Sequence, residues 1–353
     1  MKRDFTEFAV LPAYHGDCIL INTFDDNNDE FKILIDGGTA QTFRYTLKAA
    51  LKDVTRINLL VLTHIDSDHI AGLISLFKST IIDNITIDEI WMNHPEIIEV
   101  ETGELISTKQ ADTLKELILQ KKPDAKLSEI TTLDETIVRR GLQFEILSPT
   151  PQIIQELYLK WESSDLPVNE DGNGNVNIST DHNIYSQTLK ALNEAAFAPE
   201  KSISGDIFNS SSISFILRCF DLSILLLADS RPEVIAESLR RNYSQTNPLQ
   251  VDYVKVSHHG SINNTSQELL SLIQSDHYII STNGGSAAHK HPSRETIARL
   301  VYNSQRKDTP LNIYFNYEIE DLKERIGKFI NEADSEDGNW KPTTKNLFKK
   351  NDK

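Results

Sequence analysis

The sequence predicts an α/β protein in which two βα layers face each other and strand ends converge on one cleft. Three observations carry this. Residues 57–62, Ile-Asn-Leu-Leu-Val-Leu, form a nearly continuous apolar run, as a strand buried on both faces does, and a polar cluster and a helical pattern follow it at once. The pattern hairpin, acid, helix, buried strand, histidine cluster occurs twice, once before residue 80 and again from about residue 209. Finally, 353 residues with 39% apolar and 25% charged content suit a soluble globular chain with a real core.

In order, residues 6–23 and 31–36 read as two strands around a polar turn, 25–30, and the second ends in Asp36-Gly37-Gly38. Residues 40–52 suit a helix. The strand 57–62 leads to the cluster 63–69, and a helix begins at Ile70 and runs to about Lys78. This places the cluster at the carboxyl end of a buried strand, where layered α/β folds hold ligands. A short strand near 89–92, a helix over 107–121 and short strands within 127–147 follow. Residues 150–205 read as an insertion or lid, with a helix at 151–161 and a loop at 168–175, which offers almost nothing to bury. Then 213–220 and 222–227 form a hairpin ending in Ala228-Asp229-Ser230, a helix covers 232–241, and the strand 253–256 enters Ser257-His258-His259-Gly260-Ser261. The strand 278–281 leads to a Gly-rich loop and His289-Lys290-His291-Pro292. The expected division is a main domain over 1–320 and a C-terminal helix with a polar, flexible tail over 321–353.

The bulk chemistry narrows the function. The formal charge of −16 disfavours loose binding to nucleic acid or anionic membranes, although bound cations reverse the sign locally. No apolar run approaches the ~18 residues of a membrane span, and Met1 to Glu7 has no apolar signal core. Cys18 and Cys219 lie in apolar runs and read as buried thiols of a reducing compartment. The expected location is cytoplasmic.

His64, Asp66, Asp68 and His69 fall within six residues. Imidazole and carboxylate are ligands for zinc, manganese and iron. Four such groups crowd one ion but can serve two. A helix-capping Asp68 is the plain alternative, but a cap needs no histidines. Asp36 is either a support for this loop or the first residue of an ordinary Asp-Gly-Gly turn.

The segment Leu62-Thr63-His64-Ile65-Asp66-Ser67-Asp68-His69-Ile70-Ala71-Gly72 resembles the metal loop of the metallo-β-lactamase superfamily, His-x-His-x-Asp-His, with Asp66 in place of the second histidine. That substitution resembles the branch containing the hydrolase domain of ComEC-like DNA-uptake proteins. So do His15-Gly16-Asp17-Cys18-Ile19-Leu20-Ile21, Ile35-Asp36-Gly37-Gly38 and Val256-Ser257-His258-His259-Gly260-Ser261. The resemblance spans roughly 8–295, apart from the insertion. It implies a four-layer αββα sandwich and two divalent ions, zinc or manganese, with magnesium an alternative. It implies His64 and Asp66 as ligands of the first ion, Asp68 and His69 of the second, Asp229 as the bridging acid and His258 as the late histidine. Asp36 would support the loop, and Asn209 stands near the place of a missing middle histidine as a weaker ligand.

Three roles stay open for His259: ligand, proton donor or hydrogen-bonded histidine. His291 is a substrate contact or leaving-group proton donor, or else a surface-loop histidine. Asp68, His259 and His291 make up the expected catalytic set. Ser261 and Thr282-Asn283-Gly284-Gly285 either line the pocket or form a plain turn. His15, His94, His182, His277 and His289 have no supporting neighbours in the sequence and read as structural or solvated. The expected activity is phosphodiester cleavage, as a nuclease or phosphodiesterase, by a metal-bridged hydroxide. The alternatives are hydrolysis of a small ester, lactone or cyclic nucleotide, and a non-catalytic interaction subunit. Expected partners are a nucleic acid or nucleotide substrate and proteins of a multi-component system, with no membrane.

Overall fold

The computed structural model describes residues 5–95, 109–163, 187–285, 290–306 and 310–350. The first sheet has seven strands in the spatial order Leu347–Lys349, Glu7–Val10, Ile19–Phe24, Glu30–Ile35, Arg56–Val61, Thr86–Trp91 and Lys126–Ser128. Pairing is antiparallel as far as Glu30–Ile35 and parallel beyond it. The second sheet has eight, in the order Trp340–Thr344, Leu311–Phe315, His277–Ile280, Tyr253–Lys255, Ser223–Leu226, Ser214–Arg218, Leu142–Ser148 and Thr136–Arg139. It too joins an antiparallel meander to a parallel half. The twofold repetition of the sequence is therefore a repetition of sheet plan.

Strand periodicity accounts for the layering. Successive side chains point to opposite faces. Leu59 and Val61 of Arg56–Val61 join the cluster between the sheets, with Phe8 and Ile33 meeting Phe144, Phe215 and Ile224. Leu60, and Leu62 just past the strand, point the other way and pack beneath the helices Ser67–Lys78 and Lys109–Lys121 through Ile70, Leu73, Phe77, Leu114 and Ile118. The outer face of the second sheet, including Leu225, Val254 and Ile313, is covered by Pro232–Leu239 and Arg294–Asn303 through Ile235, Ile297 and Leu300. The result is four layers, helix, sheet, sheet, helix, and it explains why residues 57–62 are apolar at every position but Asn58.

Several boundaries differ from expectation. Residues 6–23 are two strands, not one, because Pro12, Gly16 and a left-handed Tyr14 (φ 63°) fold residues 11–18 into a turn. The 40–52 region is helical but contains a π-type stretch, Phe43–Leu47. The helix expected from Ile70 begins at Ser67. Cys219 is only half-buried, because the strand ends before it at Arg218. The C-terminal residues read as a flexible tail form Glu332–Gly338, Trp340–Thr344 and Leu347–Lys349. These two strands extend both sheets and are anchored by the buried Trp340 and Phe348. Within the expected insertion, Pro151–Ser163 packs Ile153, Ile154, Leu157 and Trp161 into the core. The loop read at 168–175 lies outside the described residues, as do His182 and His289. Among the described residues no helix is long and apolar enough to cross a membrane.

Candidate metal centre

Strand ends position the chemistry. Arg56–Val61 delivers Thr63 and His64, and Asp66 occupies the N-cap of the helix Ser67–Lys78, whose first turn carries Asp68 and His69. The Asp66 side chain makes no capping hydrogen bond, which leaves its carboxylate for another partner. Asp36 follows the strand Glu30–Ile35 with φ 56° and is buried. It is no ordinary turn residue. Its Oδ1 accepts from the Thr63 backbone N–H at 2.8 Å, and its Oδ2 accepts from the Thr63 hydroxyl at 2.7 Å and from His69 Nδ1 at 2.8 Å. Gly16 brings the 11–18 turn against the same loop, where a β-carbon would lie 1.7 Å from the Asp68 carbonyl oxygen.

The opposite wall comes from the second sheet. Ser223–Leu226 leads to Ala228 (φ 45°) and the buried Asp229. Ala228 thus takes a conformation that favours glycine. Tyr253–Lys255 leads to His258 and His259, with φ 46° and 54°. These left-handed turns let adjacent residues aim different ways, with rings 5.9 Å apart at 81°.

Four imidazoles converge on one carboxylate oxygen. Asp229 Oδ2 lies 3.9 Å from His64 Nε2, 3.5 Å from His69 Nε2, 3.8 Å from His258 Nε2 and 3.6 Å from His259 Nε2. Asp66 Oδ2 is 3.7 Å from His64 Nε2, and Asp68 Oδ2 is 3.6 Å from His259 Nε2. These separations are long for hydrogen bonds. They match two ligands of one ion, which stand about 3.4 Å apart when each bond is near 2.1 Å and the geometry is tetrahedral. His64, His69 and Asp229 form one such group, and Asp68, His69 and His259 another.

The outer ring nitrogens fix the tautomers. His69 Nδ1 donates to Asp36, and His259 Nδ1 donates to the Ser281 carbonyl at 2.9 Å. The Thr63 hydroxyl donates to Asp36, so its oxygen accepts from His64 Nδ1 at 3.0 Å. Asn264 donates its amide to the carbonyls of Asp229 and Ser230, which turns its Oδ1 toward His258 Nδ1 at 3.1 Å. Every Nε2 is left with its lone pair facing the centre. Buried Nε2 atoms of His64, His69 and His259, together with Asp229 Oδ1, have no hydrogen-bond partner. Orphaned buried polar atoms are costly, and a cation would satisfy all of them. Burial pushes the His64 imidazole down to about 4, helped by neighbouring His69. Burial opposes a charge on Asp229, but His259, His258 and His69 hold its carboxyl well below the usual range. His64 and Asp229 thus pair a neutral imidazole with an ionised carboxylate, the protonation pattern that a metal requires. Burial opposes a charge on His69 and His259 as well, but Asp229 raises both, so an ion would displace a proton there.

The remaining residues divide. The His291 ring stands 5.6 Å from that of His258. Asn209 donates to Asp206 Oδ1 at 2.9 Å while its own Oδ1 is buried without a hydrogen bond. Ser261 and Thr282 are buried loop braces: the Ser261 carbonyl accepts from Thr296, and the Thr282 hydroxyl donates to the His291 carbonyl. His94 bonds to Asp112 at 3.0 Å, and His277 to the Tyr314 hydroxyl at 3.1 Å, both away from this cluster's ligand groups. His15, which reads as background in the sequence, is exposed and interacts electrostatically with Asp68, His259 and His69. Sequence reasoning gave no role to Thr63, Asn264, Asp17 or Lys255. The one visible signal was Lys255, a charge inside the apolar run 253–256.

No curated protein matches the sequence significantly. Among solved structures, similarity extends to the metallo-beta-lactamase fold protein YhfI from Bacillus subtilis, at 9% identity and TM-score 0.44, covering 98% of this chain and 100% of that one. Zn(2+)-bound PqqB from Methylobacterium extorquens aligns at 10% identity and TM-score 0.43, over 97% and 99% of the two chains. A long form RNase Z from yeast aligns at 12% identity and TM-score 0.40, over 96% of this chain and 45% of that one. The family model of the metallo-beta-lactamase superfamily matches residues 11–156, the segment that carries Asp36 and the loop 63–69. With this match over residues 11–156, the four layers and the paired strand ends described above are those of the metallo-beta-lactamase fold.

Proposed function

We propose that the protein is a metal-dependent hydrolase that cleaves phosphodiesters. The observation that carries the reading is the convergence of four tautomer-fixed imidazoles on Asp229 Oδ2. In this reading Asp229 is shared. His64 and Asp66 hold a first divalent ion, with the Asn209 amide oxygen as a further donor, and Asp68, His69 and His259 hold a second. The fully buried His259, near both Asp68 and Asp229, takes the ligand place that the resemblance gives to His258. Ions held there supply Lewis acidity, which activates water and offsets developing negative charge. The carboxylate of Asp66 and the amide oxygen of Asn209 are hard donors, so manganese or magnesium competes with zinc on the first side.

The chain's own groups do the rest. His258 is half-buried beside His291, and this pair is placed to hold a proton for the leaving oxygen. The choice of phosphodiester is supported by the likeness of Asp66 and of Ser257-His258-His259-Gly260-Ser261 to the ComEC-like branch. A net charge of −16 favours a second reading, a small enclosed substrate such as a cyclic nucleotide rather than long DNA.

Metal analysis of the purified protein, followed by assays with manganese, zinc and magnesium, tests both. Substrates should include single- and double-stranded DNA, RNA, cyclic nucleotides and bis-p-nitrophenyl phosphate. The reading expects turnover that is abolished by Asp68→Ala without loss of fold. Full phosphodiesterase activity in that variant would overturn it.

A further inference from the structure

We infer that the buried ion pair between Asp17 and Lys255 is a positioning device for His259, holding its imidazole in the orientation and basicity that the second metal side needs. This rests on the reading of the centre as a metal site.

The pair lies behind the ring, on the side away from Asp229. Asp17 and Lys255 are 2% and 1% exposed, and the Lys255 ammonium donates to Asp17 Oδ2. The other carboxylate oxygen, Oδ1, accepts no hydrogen bond and lies 3.6 Å from His259 Nδ1. That nitrogen already donates to the Ser281 carbonyl at 2.9 Å. The N–H of His259 therefore sits between a carbonyl in contact and a carboxylate just beyond contact. His69, the other imidazole on this side, backs directly onto the Asp36 carboxylate. Both imidazoles of the second side thus carry a buried anion behind them, the arrangement that orients a ligand histidine and strengthens its donor nitrogen.

Lys255 has a separate part. An isolated buried carboxylate is strongly disfavoured and would drag its surroundings or take up a proton. The ammonium compensates the buried carboxylate by bonding Oδ2, and so fixes which oxygen faces His259. Buried ion pairs add little to stability compared with apolar packing, so stability alone gives no reason for a lysine in an otherwise apolar strand. Location supplies one. Asp17 belongs to the 11–18 turn, which Gly16 presses against the Asp68 carbonyl. Ser281 closes the other side by donating from its hydroxyl to the Gly16 carbonyl at 3.2 Å. Lys255 ends the strand Tyr253–Lys255, four residues before His259. The pair joins the two halves of the molecule at the one ligand whose backbone is left-handed, with φ 54°.

The test uses the full-length protein stripped of metal and titrated with cobalt(II), read by absorption spectrum, and with zinc in competition with a chromophoric chelator. Asp17→Asn removes the anion, and D17N/K255Q replaces the pair with two amides that can bond each other, avoiding an unpaired buried ammonium. Thermal unfolding of the metal-free proteins is measured alongside. We expect both variants to bind the tighter ion roughly 10- to 100-fold more weakly and to shift the cobalt spectrum. D17N/K255Q should recover most of any stability lost in Asp17→Asn without recovering affinity. If Asp17→Asn does not fold, the double variant decides alone. Wild-type affinity and an unchanged spectrum in the folded variant would reduce the pair to a structural tie and overturn the inference while leaving the metal reading standing. A wild-type protein that binds neither ion would overturn both.

Discussion

The two sides of the centre are braced differently. On the second side, His69 and His259 are buried and lean on groups fixed by other elements, Asp36 and the Ser281 carbonyl, while Asp68 stands in the first turn of a long helix. On the first side, His64 leans on the hydroxyl of its own neighbour, Thr63, and Asp66 has a side chain 40% exposed. Among the described residues, the side chain of Asn209, the remaining donor, is held by one hydrogen bond, to Asp206. Preorganised ligands lose little entropy on binding, whereas loose ones must be ordered by the ion. The difference predicts a tight second side and a weak first side that share Asp229.

Substitutions can break or sharpen that contrast. Asp229→Ala removes the shared ligand and should collapse both sides. Turnover should fall by about a thousandfold or more, as expected when several kcal/mol of metal stabilisation are lost, with two ions missing by metal analysis. Asp36→Asn acts first on the second side, since it withdraws charge directly behind His69, and reaches His64 only through the Thr63 hydroxyl. Affinity for the tighter ion should drop roughly 10- to 100-fold in a chelator competition. Asn209→Ala should change only the weaker affinity, by less than that, and Asp66→His should tilt the weaker side toward zinc over manganese. Asn264→Ala should be the smallest. It frees His258 and removes a bond to the backbone carbonyl of Asp229 but none to a ligand side chain, so kcat should fall by about tenfold, the worth of one lost hydrogen bond to an active group, while both metal affinities stay close to wild type.

The same contrast separates what the sequence revealed from what it hid. The loop 63–69 was legible because its candidate ligands fall within six residues and strand, loop and helix are local patterns. Asp229 was legible as the acid after an apolar strand. The choice between His258 and His259 was not, because it depends on two left-handed backbone turns that aim neighbours apart. The brace behind His259 joins residues 238 apart, a contact no local pattern encodes. Asn264 was missed for a related reason, since its role is to connect a carbonyl of one loop to an imidazole of another. At the level of fold, the twofold plan was readable, but the 11–18 turn and the C-terminal strands were not. Trp340 and the pair Leu347-Phe348 are apolar residues in polar surroundings, and the sheet edges they meet make strands of them.

Calorimetric titration of the metal-free protein with manganese and with zinc addresses the central claim most directly. Two ions per chain should bind in two resolved steps, and His259→Ala should erase the tighter step while a weaker one survives. A single ion, two indistinguishable steps, or a tighter step that outlasts the loss of His259 would contradict it.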